Sequence, residues 1–299
     1  MIVLFCRDPE APRQPEPLWE REATLARELG AEVGLLDHDA LVAGDLRAAL
    51  AGLRVAGGRA LYRGWMLEPA RYERLHEGLG ERGVSLRTSP PAYRSCHYFP
   101  AGYAAIEAHT PRSVWLPEGE GLTPERIAAR LAELGPGPAI VKDYVKSLKH
   151  AWEEACFIPS ASAEDEALAV VERFLAWQGE SLAGGLVFRE FVELAALGVH
   201  PQSGMPLTEE YRAVVYEGRV LDVFPYWEAQ AYPRASPPPR AWLEEVAARV
   251  ESPFFTLDVA RRREGGWVVI ELGDAQVAGL PPQADLGAIY AGLLGRGGP

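Results

Sequence analysis

Asparagine does not occur in this chain, and lysine accounts for three of its 30 basic residues. Cysteine is equally sparse: Cys6, Cys96 and Cys156 have no CxxC spacing, which supports neither a disulfide framework nor a zinc site. No apolar run reaches the roughly 18 residues of a membrane-spanning helix, and the apolar start at 1–6 is too short for a secretory signal. The six histidines lack metal-ligand spacing. No GxGxxG follows a strand, so dinucleotide binding has little support. An excess of basic charge is also missing: the net charge of −12 disfavours a nucleic-acid coat or a membrane-surface binder. The expectation is a soluble, cytoplasmic, globular protein, and its 299 residues are enough for two or three units with sizeable cores.

The cations that are present are unevenly placed. Lys142, Lys146 and Lys149 fall within eight residues, and arginine supplies every other positive side chain. Such a segment points to a need for the compact ammonium, which a guanidinium does not replace. In an extended chain Ile140, Lys142, Tyr144 and Lys146 share a face, with Lys142 and Lys146 roughly 13 Å apart. That span suits a nucleotide triphosphate, particularly if the chain bends after Tyr144. The competing reading is a solvated basic edge strand that blunts aggregation.

Around this segment the chain divides into three. The first part alternates strands and helices: strands at 1–6, 31–36 and 59–67, helices near 17–29 and 69–79. This rhythm predicts a small, mostly parallel sheet. A Pro/Gly-rich loop at 110–121 follows. The next helix has Thr123 as its cap, Pro124 in its first turn and Gly135-Pro136 at its end. The lysine strand is expected at 138–147, and Ser162 with Asp165 predicts a capping box for a helix closed by Gly179. From residue 186 strands and hairpins take over, at 186–194, 209–216, 219–226, 254–260 and 267–272, with a helix near 241–250. Adjacent residues of a strand point to opposite faces, so Cys96 and His97, read as extended, do not form a nucleophile–base pair. Within YRGWML (62–67), Arg63 is set toward the substrate side of a cleft and Trp65 toward the core.

The last two strands carry acids among apolar residues: FFTLDVA (254–260) and WVVIELGD (267–274). If Ala260 pairs with Trp267, Asp258 and Glu271 share a face as diagonal neighbours. Two carboxylates so placed can converge on a hard divalent cation such as Mg²⁺, and Asp274 could join them. A one-residue slip of register would separate the pair. In EYRAVVYEGRVLDVFPYW (210–227), a hairpin turning at Glu217-Gly218, Arg212 either holds phosphate or carboxylate oxygens bidentately or pairs with Glu210 on an exposed face.

Taken together, IVKDYVKSLKH (140–150), FREFVEL (188–194), EYRAVVYEG (210–218), FTLDVA (255–260) and WVVIELGDAQVAGLP (267–281) resemble the ATP-grasp superfamily. The narrower resemblance is to its clade named for one arginine and two lysines. It implies a small N-terminal α/β domain (1–110, pre-ATP-grasp-like) followed by a two-lobed α+β ATP-grasp fold, with an N-terminal lobe at 111–185 and a C-terminal lobe at 186–299. ATP and Mg²⁺ are the implied cofactors. The resemblance places Lys142 at the nucleotide's phosphates and Lys146 or Lys149 in a phosphate-covering loop. It makes Glu190, Phe191 and Val192 the hinge whose backbone reads adenine, with Glu193 at the ribose. Arg212 falls near the γ-phosphate or acyl phosphate, and Asp258 and Glu271 become the metal-binding acids. Two departures stand out: Tyr144–His150 replaces the usual glycine-rich loop, and Gly273 occupies the place of the usual asparagine, with Asp274 next to it. The implied activity is ligation through an acyl phosphate, joining a small-molecule or peptide carboxylate to an amine or similar nucleophile. Repair of RNA ends and nucleotide-binding regulation without turnover are the alternatives.

Overall fold

Ile2–Cys6 (β1) is apolar at every position and buried at every position, the pattern of a strand covered on both faces. It pairs in parallel with β2 (Glu32–Leu36) on one side and β3 (Gly58–Arg63) on the other, and β4 (Val84–Leu86) extends the sheet in the order β2-β1-β3-β4. Helices α1 (Glu20–Glu28), α2 (His38–Ala43), α3 (Leu46–Ala49) and α4 (Pro69–Gly80) fill the connections. This computed structural model describes residues 1–148, 151–199, 206–227 and 237–295.

Residues 90–106 depart from expectation. They form two helices, α5 (Pro90–His97) and α6 (Phe99–Ile106). The Ser89 hydroxyl accepts from the Ala92 amide and Pro90 opens the first turn, a start signal that outweighs the extended reading of Cys96 and His97.

The middle sheet is antiparallel, built from β5 (Ser113–Pro117), β6 (Ala139–Asp143), β7 (Phe157–Ile158) and β8 (Gly185–Glu190) in the order β5-β8-β6-β7. Helices α7 (Pro124–Leu134) and α8 (Glu164–Gln178) pack against it. Thr123 caps α7 as its sequence predicts. The cap residue of α8 is Ala163, and the Ser162 hydroxyl meets Ser160 instead, so the expected capping box does not form. Two boundaries also move. The loop expected at 110–121 contains β5, and β8 belongs to the middle sheet, so a division at 186 would cut through one of its strands.

A short ribbon, β9 (Ala196–Val199) with β10 (Pro206–Thr208), leads to the last sheet. There β11 (Glu210–Tyr216), β12 (Arg219–Pro225), β13 (Phe254–Arg261) and β14 (Trp267–Asp274) run antiparallel in the order β12-β11-β13-β14. Helix α9 (Arg240–Ala247) precedes β13 and α10 (Leu286–Leu293) follows β14. Glu217 and Gly218 both have positive φ (49° and 77°), as a tight hairpin turn requires.

Both faces of the last sheet are buried. Val214, Tyr216 and Phe254 join α10 and the N-terminal sheet in one continuous core. Ala213, Val215, Phe255 and Leu257 pack with α6 and α9 in a second. Among the described residues no helix is long and apolar enough to cross a membrane.

Candidate functional site

The middle and last sheets face each other across a cavity of ≈ 590 Å³. Its walls follow from strand alternation. On β6 and β8, Ile140 pairs with Arg189 and Lys142 with Val187, so Ile140, Lys142 and Arg189 share the face toward the cavity. The last residue of β8 and the segment that follows it, Glu190 to Leu194, line one end. On the opposite side Arg212, Asp258 and Glu271 are directly opposed on three adjacent strands and therefore share a face.

That alignment arises from a register different from the expected one. Arg261, not Ala260, pairs with Trp267, and a β-bulge between Asp258 and Val259 leaves Ile270 as the extra residue. Asp258 thus stands directly opposite Glu271 instead of diagonal to it. A bulge re-aims side chains where it occurs, and this one is secured from outside the sheet. Arg189 Nη1 donates to the Ile270 carbonyl at 2.7 Å, and the Thr110 hydroxyl to the Val269 carbonyl at 2.8 Å.

Each of the two acids already carries a cation. Arg212 donates from Nε and Nη2 to the two oxygens of Asp258, both at 2.7 Å. Lys142 Nζ donates to Glu271 Oε1 at 2.6 Å, reaching across from the middle sheet. Arg212 also lies over the Tyr226 ring, 5.1 Å from its centroid. Hydrogen bonding and charge from Asp258 outweigh the desolvation of the guanidinium and hold the Arg212 pKa above its ordinary value. Of the two readings open to Arg212, the bidentate one to a carboxylate describes its position. Glu210 is hydrogen-bonded by Thr208.

Asp274 does not join these acids. It lies three residues beyond Glu271, on the opposite face, where it accepts from the backbone and side-chain nitrogens of Gln276. Burial pushes its carboxyl up to about 7. Gly273 shares the acids' face, but a Cβ there would lie 2.5 Å from Thr256 Oγ1. No cluster of three or more metal-ligating side chains occurs among the described residues.

The lysine segment is bent. β6 ends at Asp143, whose side chain accepts from the Val145 and Lys146 amides at 2.7 and 2.5 Å, while the Lys146 carbonyl accepts from the Asp143 amide. This aspartate-centred turn ends at 143 the strand expected to reach 147, bends the chain near Tyr144 as the sequence allows, and takes Lys146 off the line of Lys142, to an exposed position near His97. Lys149 lies outside the described residues. His97 is stacked between the Tyr93 and Tyr98 rings, and burial with Lys146 nearby lowers its pKa to about 4. The Cys96 thiol is buried and pushed up to about 12, which keeps it protonated.

At the 190–194 end, the Glu190 and Phe191 amides donate to the carbonyls of Arg112 and Pro138. The Val192 amide has no backbone partner among the described residues. Glu193 pairs with Arg263 at 2.9 Å, both exposed at the rim. Arg63 and Trp65 exchange their expected places. Arg63 is buried, 1% exposed, on Glu22, whereas Trp65 is 42% exposed and donates from Nε1 to Glu16. The residue that sequence reasoning passed over is Arg189. It sits in the apolar run LVFREF, and a lone arginine in a strand covered on both faces was the available signal.

No curated protein matches this chain in sequence. Several solved structures share its fold over nearly the whole length. They include a RimK domain ATP-grasp protein from Sphaerobacter thermophilus (17% identity, TM-score 0.59, 97% of this chain and 98% of that one). D-cycloserine synthetase DcsG is another (15%, 0.62, 99% of each). A third is a D-alanine–D-alanine ligase from Bacillus anthracis complexed with ATP (14%, 0.57, 98% and 91%). Residues 133–293, over half the chain, match the sequence model for the ATP-grasp domain of family 3 in the clade named for one arginine and two lysines, and the chain therefore belongs to that family of ATP-dependent enzymes, which use Mg²⁺.

Proposed function

We propose that this chain is a ligase that activates a substrate carboxylate with ATP and joins it to an amine or similar nucleophile. The observation that carries the reading is the pair of opposed acids, Asp258 and Glu271, on a wall facing Lys142 and the 190–194 segment across one cavity. The base of the nucleotide lies against that segment, where the Val192 amide offers a donor and the Glu190 backbone lines the edge. Glu193 is placed at the rim for the ribose hydroxyls. The phosphates extend along Lys142 toward the turn that carries Lys146.

The acids suit the metal. Hard divalent cations take carboxylate oxygens, and Mg²⁺ is commonly held by one or two carboxylates together with substrate phosphates. Asp258 and Glu271 would hold it, and it would supply neutralisation of the phosphate charge. Both acids are charge-compensated by Arg212 and Lys142, so the cations are positioned to move from carboxylate to phosphate when the nucleotide enters. In the reaction the substrate carboxylate attacks the γ-phosphorus and ADP departs; the nucleophile then displaces phosphate from the acyl phosphate. Arg212 steadies the transferred group, and the lysines offset developing charge. The substrate class proposed is a small-molecule or peptide carboxylate. PsnB, an ATP-grasp ligase of the same fold whose structure holds a precursor peptide, offers a precedent for the second.

Thermal unfolding with ATP, in the presence and absence of Mg²⁺, tests the site on the wild type and on Lys142→Ala. The expected result is a Mg²⁺-dependent stabilisation that the variant loses. No shift with any nucleotide would overturn the reading. One observation favours a second reading, a nucleotide-binding regulator: the third acid of the sequence motif, Asp274, is turned away. ATP binding without ADP release across a broad panel of carboxylates and amines would favour it.

A further inference from the structure

Residues 269–272 of β14 do not alternate as a regular strand requires. Val269 and Leu272 lie in the core with α6 and α9, whereas Ile270 and Glu271, neighbours in the chain, both line the cavity. The bulge makes this possible. Were the pairing of Val259 with Val269 continued without it, Asp258 would meet Ile270, and Glu271 would fall opposite Leu257 on the apolar face. The opposed acids therefore exist only while the extra residue is kept out of the ladder. A bulge frees backbone groups from the ladder, and buried ones need other partners.

Those partners come from outside the last sheet. The Thr110 hydroxyl donates to the Val269 carbonyl at 2.8 Å, and Arg189 Nη1 to the Ile270 carbonyl at 2.7 Å. The two donors are also tied to each other. Ser113, paired with Arg189 in the β5–β8 ladder, accepts from Arg189 Nε at 3.3 Å and donates to the Pro111 carbonyl at 2.9 Å, next in the chain to Thr110. Thr110, Ser113 and Arg189 are all buried, where no water is at hand to replace a lost bond. The Glu271 charge partly offsets the desolvation of the Arg189 guanidinium, so the arginine favours the acid's place electrostatically as well. We infer that Thr110 and Arg189 are positioning residues: by holding two consecutive carbonyls of β14 they keep Glu271 opposite Asp258 and so set the geometry of the metal-binding pair. Thr110 is the member that can be tested without removing a charge.

This inference rests on Asp258 and Glu271 holding Mg²⁺ for the nucleotide, and its test separates the two. ATP binding is measured by calorimetry, with Mg²⁺ and with a chelator, on the wild type, Thr110→Val, Thr110→Ser and Ser113→Ala, without acceptor substrates. Valine keeps the shape of threonine and removes the donor. Groups that orient metal ligands from behind matter about ten- to hundredfold for metal affinity. Thr110→Val is expected to bind ATP with Mg²⁺ weaker by about that factor, and metal-free ATP within about threefold of wild type. Thr110→Ser restores the hydroxyl and should lie within about threefold of wild type in both conditions. Retained metal-free binding also shows that the valine variant is folded. Ser113→Ala serves if it is not, since it frees Arg189 Nε and the Pro111 carbonyl without touching β14; the same selective loss, smaller in size, is expected from it. An unchanged affinity with Mg²⁺, an equal loss with and without the metal, or a serine variant as weak as the valine would overturn the positioning role while leaving the metal site standing. A wild type whose ATP affinity does not respond to Mg²⁺ would remove the metal site and the inference together.

Discussion

Two parallel N–H···O bonds join Arg212 to Asp258, on the wall that also carries Glu271. Because the guanidinium stands at the expected position of phosphoryl transfer, Arg212→Ala should lower the rate of ADP release by about 10² to 10³. The ATP affinity should stay within about threefold, since Lys142 and the 190–194 segment remain. Steady-state kinetics beside equilibrium ATP binding checks this. Two other side chains should govern how stability varies with pH. Asp274 titrates at about 7 instead of 3.8, so between those values the folded chain keeps a proton that the unfolded chain has released, and stability falls as pH rises. His97 titrates at about 4 instead of 6.5; there the unfolded chain binds a proton that the folded chain refuses, and stability rises with pH. The two slopes oppose each other. Chemical denaturation from pH 4.5 to 7 should show a nearly level profile for wild type, a rise for Asp274→Asn and a fall for His97→Gln. At this scale much was legible: the scarcity of lysine marked Lys142, and acids flanked by apolar residues marked Asp258 and Glu271. Arg189 and the direction of Asp274 were not legible, because both depend on what packs against a strand and not on its own residues.

At the scale of elements the decisive object is the β13–β14 ladder. Its strands could be read from their apolar alternation, but their register could not. The bulge at Ile270 depends on Arg189 and Thr110, which are 81 and 159 residues away in sequence from the carbonyls they hold. Local pairing rules have no access to such partners. The same ladder explains the glycine that replaces the usual asparagine. Gly273 is opposite Thr256, and a side chain at 273 would collide with the buried Thr256 hydroxyl. Gly273→Asn alone should therefore destabilise the protein by about 1–3 kcal/mol. Combined with Thr256→Ala it should recover most of that loss, because the next nearest atom of Thr256 to a Cβ at 273 is 3.9 Å away. Urea midpoints of the single and double variants measure both effects. The lysine strand failed in a similar way: Asp143 ends it by capping two amides, and aspartate is a turn former whose choice between strand and turn is settled by its neighbours.

For the whole molecule, the N-terminal sheet is fastened to the last sheet through one buried arginine. Arg63 donates to both oxygens of Glu22 at 2.8 and 2.7 Å and to the carbonyls of Ala275, Gln276 and Ala278, while the Tyr290 hydroxyl donates to Glu22. Removing one partner of such a pair strands the other charge. Glu22→Ala should cost about 3–5 kcal/mol in global stability, read from denaturant unfolding, with a single cooperative transition retained because the apolar core is shared. The βα rhythm of residues 1–86 announced the sheet; its docking onto residues 275–290 was invisible in sequence because both contact surfaces are ordinary apolar faces until they meet.

That fastening bears on how the chain can be cut. The family match covers residues 133–293, which invites expression of the matched segment alone. Such a fragment would lack the guanidinium that gathers three carbonyls just past β14, and it would expose Val214, Tyr216, Phe254, Ile289 and Tyr290 where the N-terminal sheet now covers them. It would carry both acids of the cavity but not the scaffold that keeps their strand ordered. Shuffling experiments should therefore treat the N-terminal sheet as an inseparable chaperone of the catalytic half, transplanted together with it or not at all.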